Sequence, residues 1–161
     1  MSKAVLGLGT NLGDRVKNLS QAIEALNLLP NTVVLAQSQV YQTAPFDVPD
    51  LQPDYLNQCV LLETALSPHA LLGACLGIEA AQGRKRVEHH GARVLDLDLL
   101  LYAGKKIASS ELTLPHPGIL ERAFVMVPLR DLFPDGNALG IDFLSALQRI
   151  GESGVAPFKN K

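Results

Sequence analysis

Apolar and polar positions along the chain change their period several times, and each change marks an element. Residues 3–9 (Lys-Ala-Val-Leu-Gly-Leu-Gly), apolar after Lys3, predict a first strand. Asp14 is placed to cap a following helix of about four turns, because Leu19, Ile23, Leu26 and Leu29 recur at helical spacing until Pro30 and Asn31 stop it. Runs of strand formers at 32–43 and 55–64 flank residues 44–54, which carry Pro45, Pro49 and Pro53 and predict a surface loop. Ser67 and Pro68 suit the cap and first turn of a second helix through Leu71, Leu72, Leu76 and Glu79, with Gly83 at its end. Residues 94–102 predict a strand and Gly104 a turn; 112–114 run into Pro115-His116-Pro117, and 120–132 and 141–149 predict helices. The order βαββαβ predicts an α+β fold, a ferredoxin-like α/β sandwich with two helices packed on one face of an antiparallel sheet. No linker, repeat or low-complexity tract interrupts the pattern, so residues 1–161 are expected to form a single domain.

In Leu95-Asp96-Leu97-Asp98-Leu99-Leu100-Leu101, the strand period of two puts both carboxylates on one face and Leu95, Leu97, Leu99 and Leu101 on the other. The acids are then about 7 Å apart at Cα, near enough to share one metal ion or a pair. Oxygen-only ligands suit magnesium. An ordinary half-buried strand with a solvated acidic face would show the same alternation. Just before it stand Arg84, Lys85, Arg86, His89, His90 and Arg93. Such a run is usually a solvated loop. Phosphoryl transfer, however, requires both parts: carboxylates that hold metal against the phosphates and guanidinium groups that neutralise their oxygens. Arginine suits this because its planar donor fork grips phosphate bidentately and keeps its charge. The earlier Gly7-Leu8-Gly9-Thr10-Asn11-Leu12-Gly13 lacks the G-K-[ST] of a Walker loop, so its glycines are assigned to the turn from strand to helix.

Net charge of −2 argues against a broad basic surface, so no nucleic-acid partner is expected. Cys59 and Cys75 lie in apolar stretches without C-x-x-C spacing, which predicts buried thiols in a reducing, cytoplasmic setting. Met-Ser-Lys before Ala4-Val5-Leu6 is too short for a signal peptide, so none is expected, and no apolar run approaches the roughly eighteen residues of a membrane span. The expected partners are small molecules, and the chain is expected to act as a monomer.

Taken together and in order, Gly9-Thr10-Asn11-Leu12-Gly13-Asp14, Tyr41-Gln42-Thr43-Ala44-Pro45, Tyr55-Leu56-Asn57, Ile78-Glu79, Gly83-Arg84-Lys85-Arg86, Arg93-Val94-Leu95-Asp96-Leu97-Asp98 and Pro115-His116-Pro117 with Arg122-Ala123-Phe124 resemble the 6-hydroxymethyl-7,8-dihydropterin pyrophosphokinase family. Order and spacing hold from about residue 4 to residue 134. The resemblance implies transfer of a pyrophosphoryl group from the co-substrate ATP to the pterin alcohol in folate biosynthesis, releasing AMP. It implies Asp96 and Asp98 as ligands of two magnesium ions and Arg84 and Arg93 as catalytic cations on the transferring group. Glu79, Arg84, Arg86, Arg93, Thr113, His116 and Arg122 are then ATP contacts. Thr43, Ala44, Phe46, Tyr55, Asn57 and Phe124 are pterin contacts, with Phe46 and Phe124 sandwiching the ring and Asn57 pairing along its edge. Closure of the 44–54 and 84–92 loops would exclude water from the reaction. Four positions depart from the family pattern: His89 and His90 replace an arginine and a tryptophan in an arm one residue shorter, Glu111 stands where relatives can have arginine, and Thr10 replaces serine. Two rival readings start from the same residues. One is a zinc or manganese phosphohydrolase using His89, His90, Asp96 and Asp98, which lacks a second ligand cluster. The other is a binding module without catalysis, since a fold alone fixes no function.

Overall fold

The structure, a computed structural model, describes residues 1–44, 54–83 and 94–159. The two loops expected to close over substrates fall almost wholly outside the described residues. Strand β1 (Ser2–Thr10) leads through Gly13, at φ +77°, into helix α1 (Arg15–Asn27). Asp14 caps that helix, its carboxylate accepting from Lys17 N at 3.2 Å. Strands β2 (Thr32–Gln37), β3 (Tyr41–Thr43) and β4 (Tyr55–Thr64) follow, then helix α2 (Pro68–Ala81), which Ser67 caps through Ala70 N at 3.2 Å. Leu71, Cys75 and Ile78 form the inward stripe of α2, so Leu76, one residue and 100° further round, is 42% exposed rather than part of it. Beyond β5 (Asp96–Tyr102) come the hairpin β6–β7 (Ile107–Ala108, Thr113–Leu114), a 3-10 turn (Ile119–Glu121) and α3 (Ala123–Leu132). The hairpin β8–β9 (Asn137–Ala138, Ile141–Asp142), α4 (Leu144–Ile150) and β10 (Val155–Pro157) complete the chain.

Among the described residues the main sheet has six strands, all in antiparallel pairs, ordered β10-β3-β4-β1-β5 with β2 also on β4. Strand β4 is its centre: β1 runs along one edge, while β2 and β3 share the other. The single strand expected over 32–43 divides at Ser38, whose amide donates to Cys59 O and whose Oγ accepts from Cys59 N, both at 2.9 Å. The register Leu6↔Leu99 is followed by Val5↔Leu101, so β5 holds one extra residue, Leu100, in a bulge. The bulge reverses the alternation. Leu97 and Leu99 belong to one core, whereas Leu101 lies with Leu100 in the other, which corrects the expectation that Leu101 shares a face with Leu95, Leu97 and Leu99.

Those two cores sit on opposite faces of the sheet. Leu19, Ala22 and Leu26 of α1 and Leu71, Cys75 and Ile78 of α2 cover Leu6, Leu8, Val60 and Leu62. On the reverse face Met126 and Leu129 of α3 and Leu147 of α4 cover Val5, Cys59, Leu100 and Leu101. The α+β sandwich is therefore as expected, but helices flank the antiparallel sheet on both sides instead of one. A strand covered on both faces reads as an unbroken apolar run, which is what residues 4–9 are. Among the described residues no helix is long and apolar enough to cross a membrane.

Candidate active site

Where the second core ends, the same sheet face turns polar. Asp96 stands opposite Gly9 and Asp98 opposite Gly7, while Asn57 faces Gly9 from β4 and Tyr55 pairs with Thr43. Directly opposed residues of antiparallel strands share a face, so Asp96, Asp98, Asn57, Tyr55 and Thr43 all lie on this one. Gly9 lets them converge. A Cβ there would stand 3.4 Å from Asn57 Oδ1 and 3.9 Å from both Asp96 Cβ and Tyr55 Cδ1. Gly7 similarly admits Leu100, whose Cδ1 would be 3.3 Å from an added Cβ. Of the glycines assigned to the turn, only Gly13 serves it; Gly7 and Gly9 are strand residues that form the floor of the site. Asn57 is buried, and its Nδ2 donates to Thr43 Oγ1 at 2.7 Å, which fixes the amide with Oδ1 towards Gly9.

Across the outer edge of β5 opens a cavity of about 300 Å³, lined by Leu72, Asp98, Glu111, Thr113, His116 and Pro117 among others. Asp98 therefore belongs both to the polar face and to the cavity. His116 N donates to Leu100 O at 2.9 Å and ties the 115–117 turn to β5. Gly118 N donates to His116 Nδ1 at 3.1 Å, so the neutral ring carries its proton on Nε2. Burial, and next the Arg122 guanidinium, push the imidazole below its ordinary range, with Asp96 opposing them. Arg122 lies flat across Gly118, where an added Cβ would be 2.7 Å from Cζ, and 6.0 Å from the Phe124 ring centroid. His116, which lines the cavity, is thus followed by Arg122 and Phe124 in one group.

Glu79 takes a place that the sequence does not announce. It is 2% exposed, and its Oε2 accepts from the amide of Leu97, the residue between the two aspartates, at 2.7 Å. The carboxylate anchors the outer edge of β5 from α2. Asn18 anchors the approach to that strand: its Nδ2 lies 2.8 Å from Leu12 O and 3.2 Å from both Val94 O and Thr10 Oγ1. The hydroxyl at position 10 thus has a structural partner. Ala44 is at the exposed end of β3, and Phe124 is 37% exposed. Phe46, Arg84, Arg86, His89, His90 and Arg93 lie outside the described residues. Neither Gly9, Gly118 nor Asn18 was marked as a site residue from sequence; the G-x-G spacing in β1 was the available signal for the first, and nothing local marks the others.

A sequence profile of the family described as 7,8-dihydro-6-hydroxymethylpterin-pyrophosphokinase (HPPK) matches residues 5–134. The chain is 43% identical over 155 residues to a 2-amino-4-hydroxy-6-hydroxymethyldihydropteridine pyrophosphokinase of Methylorubrum extorquens, covering 96% of this chain and 98% of the relative. It is 42% identical over 135 residues to the Haemophilus influenzae protein of the same name, covering 84% of each. A mitochondrial folate synthesis bifunctional protein of Pisum sativum is 39% identical over 153 residues, covering 94% of this chain but 29% of its own. Among solved structures, an HPPK-DHPS in complex with substrates superposes with a TM-score of 0.71 at 14% identity, covering 94% of this chain and 44% of that one. At that identity the superposition speaks for the fold, and this chain spans less than half of the solved one.

Proposed function

The chain belongs to the 7,8-dihydro-6-hydroxymethylpterin-pyrophosphokinase family, and from that premise we propose how its own residues divide the work. The reaction is transfer of pyrophosphate from ATP to the hydroxymethyl group of the dihydropterin, a step of folate biosynthesis. The observation that carries the division is that Asp98 lines the cavity and also stands beside Asp96 on the face holding Asn57 and Tyr55. One carboxylate is thus common to two compartments. In this reading ATP occupies the cavity, with Thr113, His116 and Arg122 against it, together with Arg84, Arg86 and Arg93 from outside the described residues. The pterin lies over Gly9, where its flat ring avoids any side chain in the floor and its donor and acceptor edge meets Asn57. Thr43, Ala44, Tyr55, Phe46 and Phe124 complete that pocket. The hydroxymethyl oxygen attacks the β-phosphorus in line, the bond from that phosphorus to the α-phosphate oxygen breaks, and AMP leaves.

Magnesium fits the donors. Among the described residues no group of three or more His, Cys, Asp or Glu side chains converges on one point. Asp96 and Asp98 would hold the ion through carboxylate oxygens, the hard donors that magnesium prefers. When bound, the metal lowers the cost of gathering negative charge at the β- and γ-phosphates; two ions at this pair is the arrangement we favour. Glu79, also read as an ATP contact, supports the pair from behind through Leu97. We also read residues 1–161 as one catalytic domain acting as a monomer.

The test is the nucleotide product when the purified protein meets ATP, magnesium and 6-hydroxymethyl-7,8-dihydropterin. AMP formed in step with pyrophosphorylated pterin is expected. ADP, or phosphate released without pterin, would mean transfer or hydrolysis at the γ-phosphorus and would overturn this division of roles.

A further inference from the structure

The family match ends at residue 134, yet the sheet is completed by residues beyond it. Strand β10 pairs Val155 with Thr43, Ala156 with Gln42 and Pro157 with Tyr41, and Phe158 N then donates to Val40 O at 2.9 Å. The half-buried ring of Phe158 turns into the first core, below α1, where Arg15 Cζ lies 5.6 Å from its centroid. The same guanidinium donates through Nη1 to Asp54 O at 2.9 Å, and Asp54 Oδ2 accepts from Gln42 Nε2 at 2.7 Å. Asp54 is thereby held through its backbone and its carboxylate at once. The next residue is Tyr55, and Thr43↔Tyr55 is the last register pair of β3 and β4.

Strand alternation puts Gln42 on the face opposite Thr43, so this cluster lies on the reverse side of the strands that carry Thr43, Tyr55 and Asn57. Arginine suits the place, since its guanidinium can stack on an aromatic ring while donating from its edge. The tail thus braces, from behind, strand ends that present polar groups in front. We propose that Arg15 and Phe158 are positioning residues for the acceptor pocket, a clamp through Asp54 that sets where Tyr55, Thr43 and Asn57 stand. This rests on the pterin assignment above. Neither residue touches the substrate; the clamp acts by pre-organising groups that do, and small misplacements of such groups are costly.

The experiment compares wild type with Arg15→Ala, Phe158→Ala and Phe158→Tyr, measuring both KM values, kcat, the Kd of the pterin by fluorescence titration, and the melting temperature. Each alanine variant is expected to raise the KM and Kd for the pterin about tenfold, the worth of roughly one charge-assisted hydrogen bond. The KM for ATP should stay within about twofold, and Phe158→Tyr, which keeps the ring, should restore the pterin values. If an alanine variant does not fold, Arg15→Gln and Phe158→Leu replace it with the same expectation. Unchanged pterin Kd, or pterin and ATP KM rising together as the melting temperature falls, would overturn the clamp. Absence of AMP from the wild-type reaction would instead count against the proposed function, so the two failures are separate.

Discussion

At the scale of single residues, the site depends on side chains that are missing as much as on those present. Asp96 faces an open floor because Gly9 opposes it, while Gly7, opposite Asp98, leaves room for the Leu100 side chain. Asp98 also lines the cavity, so Asp98→Ala should remove the shared ligand and lower kcat by about a thousandfold or more, at several kcal/mol of lost charge stabilisation. Its melting temperature should hardly move, because the carboxylate is only partly buried. Near-normal kcat across a magnesium titration would remove Asp98 from the metal assignment. Gly118 works in the same way for the proposed nucleotide end. An alanine there would bring Cβ to 2.7 Å from Arg122 Cζ, and the flexible end of that arginine is what can yield. Gly118→Ala should therefore displace the guanidinium, raising the KM for ATP about tenfold while leaving the KM for the pterin unchanged. Steady-state kinetics with each substrate varied in turn would decide it.

At the scale of elements, β5 is the edge strand of the described sheet and carries the proposed metal ligands, so its outer side needs support. Glu79 provides it through the Leu97 amide. Glu79→Ala would leave that buried N–H without its acceptor and should cost about 1–3 kcal/mol in stability, and it should weaken magnesium binding by letting the Asp96–Asp98 segment shift. Glu79→Gln keeps an acceptor at the same reach and should restore much of both. Chemical denaturation with magnesium titration of the two variants would check this, and equal loss in both would show that the charge, not the hydrogen bond, matters. Elements whose signals are local were legible in the sequence. Asp14 and Ser67 cap their helices through bonds to residues three positions on, so the caps could be read directly. The bulge at Leu100 was not legible, because leucine continues on both sides of it and either face would accept one. Strand β10 was missed for a related reason: three residues ending in proline form a strand only because β3 offers an edge.

Across the whole molecule, burial on both sheet faces sets how stability answers to pH. Burial, and then the Asp131 carboxylate that accepts its hydroxyl at 2.8 Å, push Tyr41 from 10.0 up to about 12. Burial chiefly pushes the Cys59 and Cys75 thiols from 9.0 up to about 12. All three are acids whose folded values exceed their unfolded ones. Their contribution is complete below pH 9, and is lost as pH rises to about 12, because the unfolded chain releases these protons first. The melting temperature should thus be level from neutrality to the low end of that window and fall through it. Cys59→Ala should flatten part of the slope even though the cavity it leaves lowers the whole curve. Circular dichroism melts across the window would show both effects, and an identical slope in the variant would exclude the thiol as a source.

By itself the sequence determined the parts whose physics is short in range: capped helices, apolar strand runs, two carboxylates on one strand face, and the ordered motifs that carry the family resemblance. Tertiary structure decided what lies opposite those parts. It placed α3 and α4 on the second face, set Gly9 beneath Asn57 and Asp96, turned Glu79 to the Leu97 amide, and joined Arg15 to Phe158. The physical reason is distance along the chain. Asp96 and Gly9, or Arg15 and Phe158, meet only after the sheet has chosen its register and its bulge, and neighbouring residues carry no record of that choice.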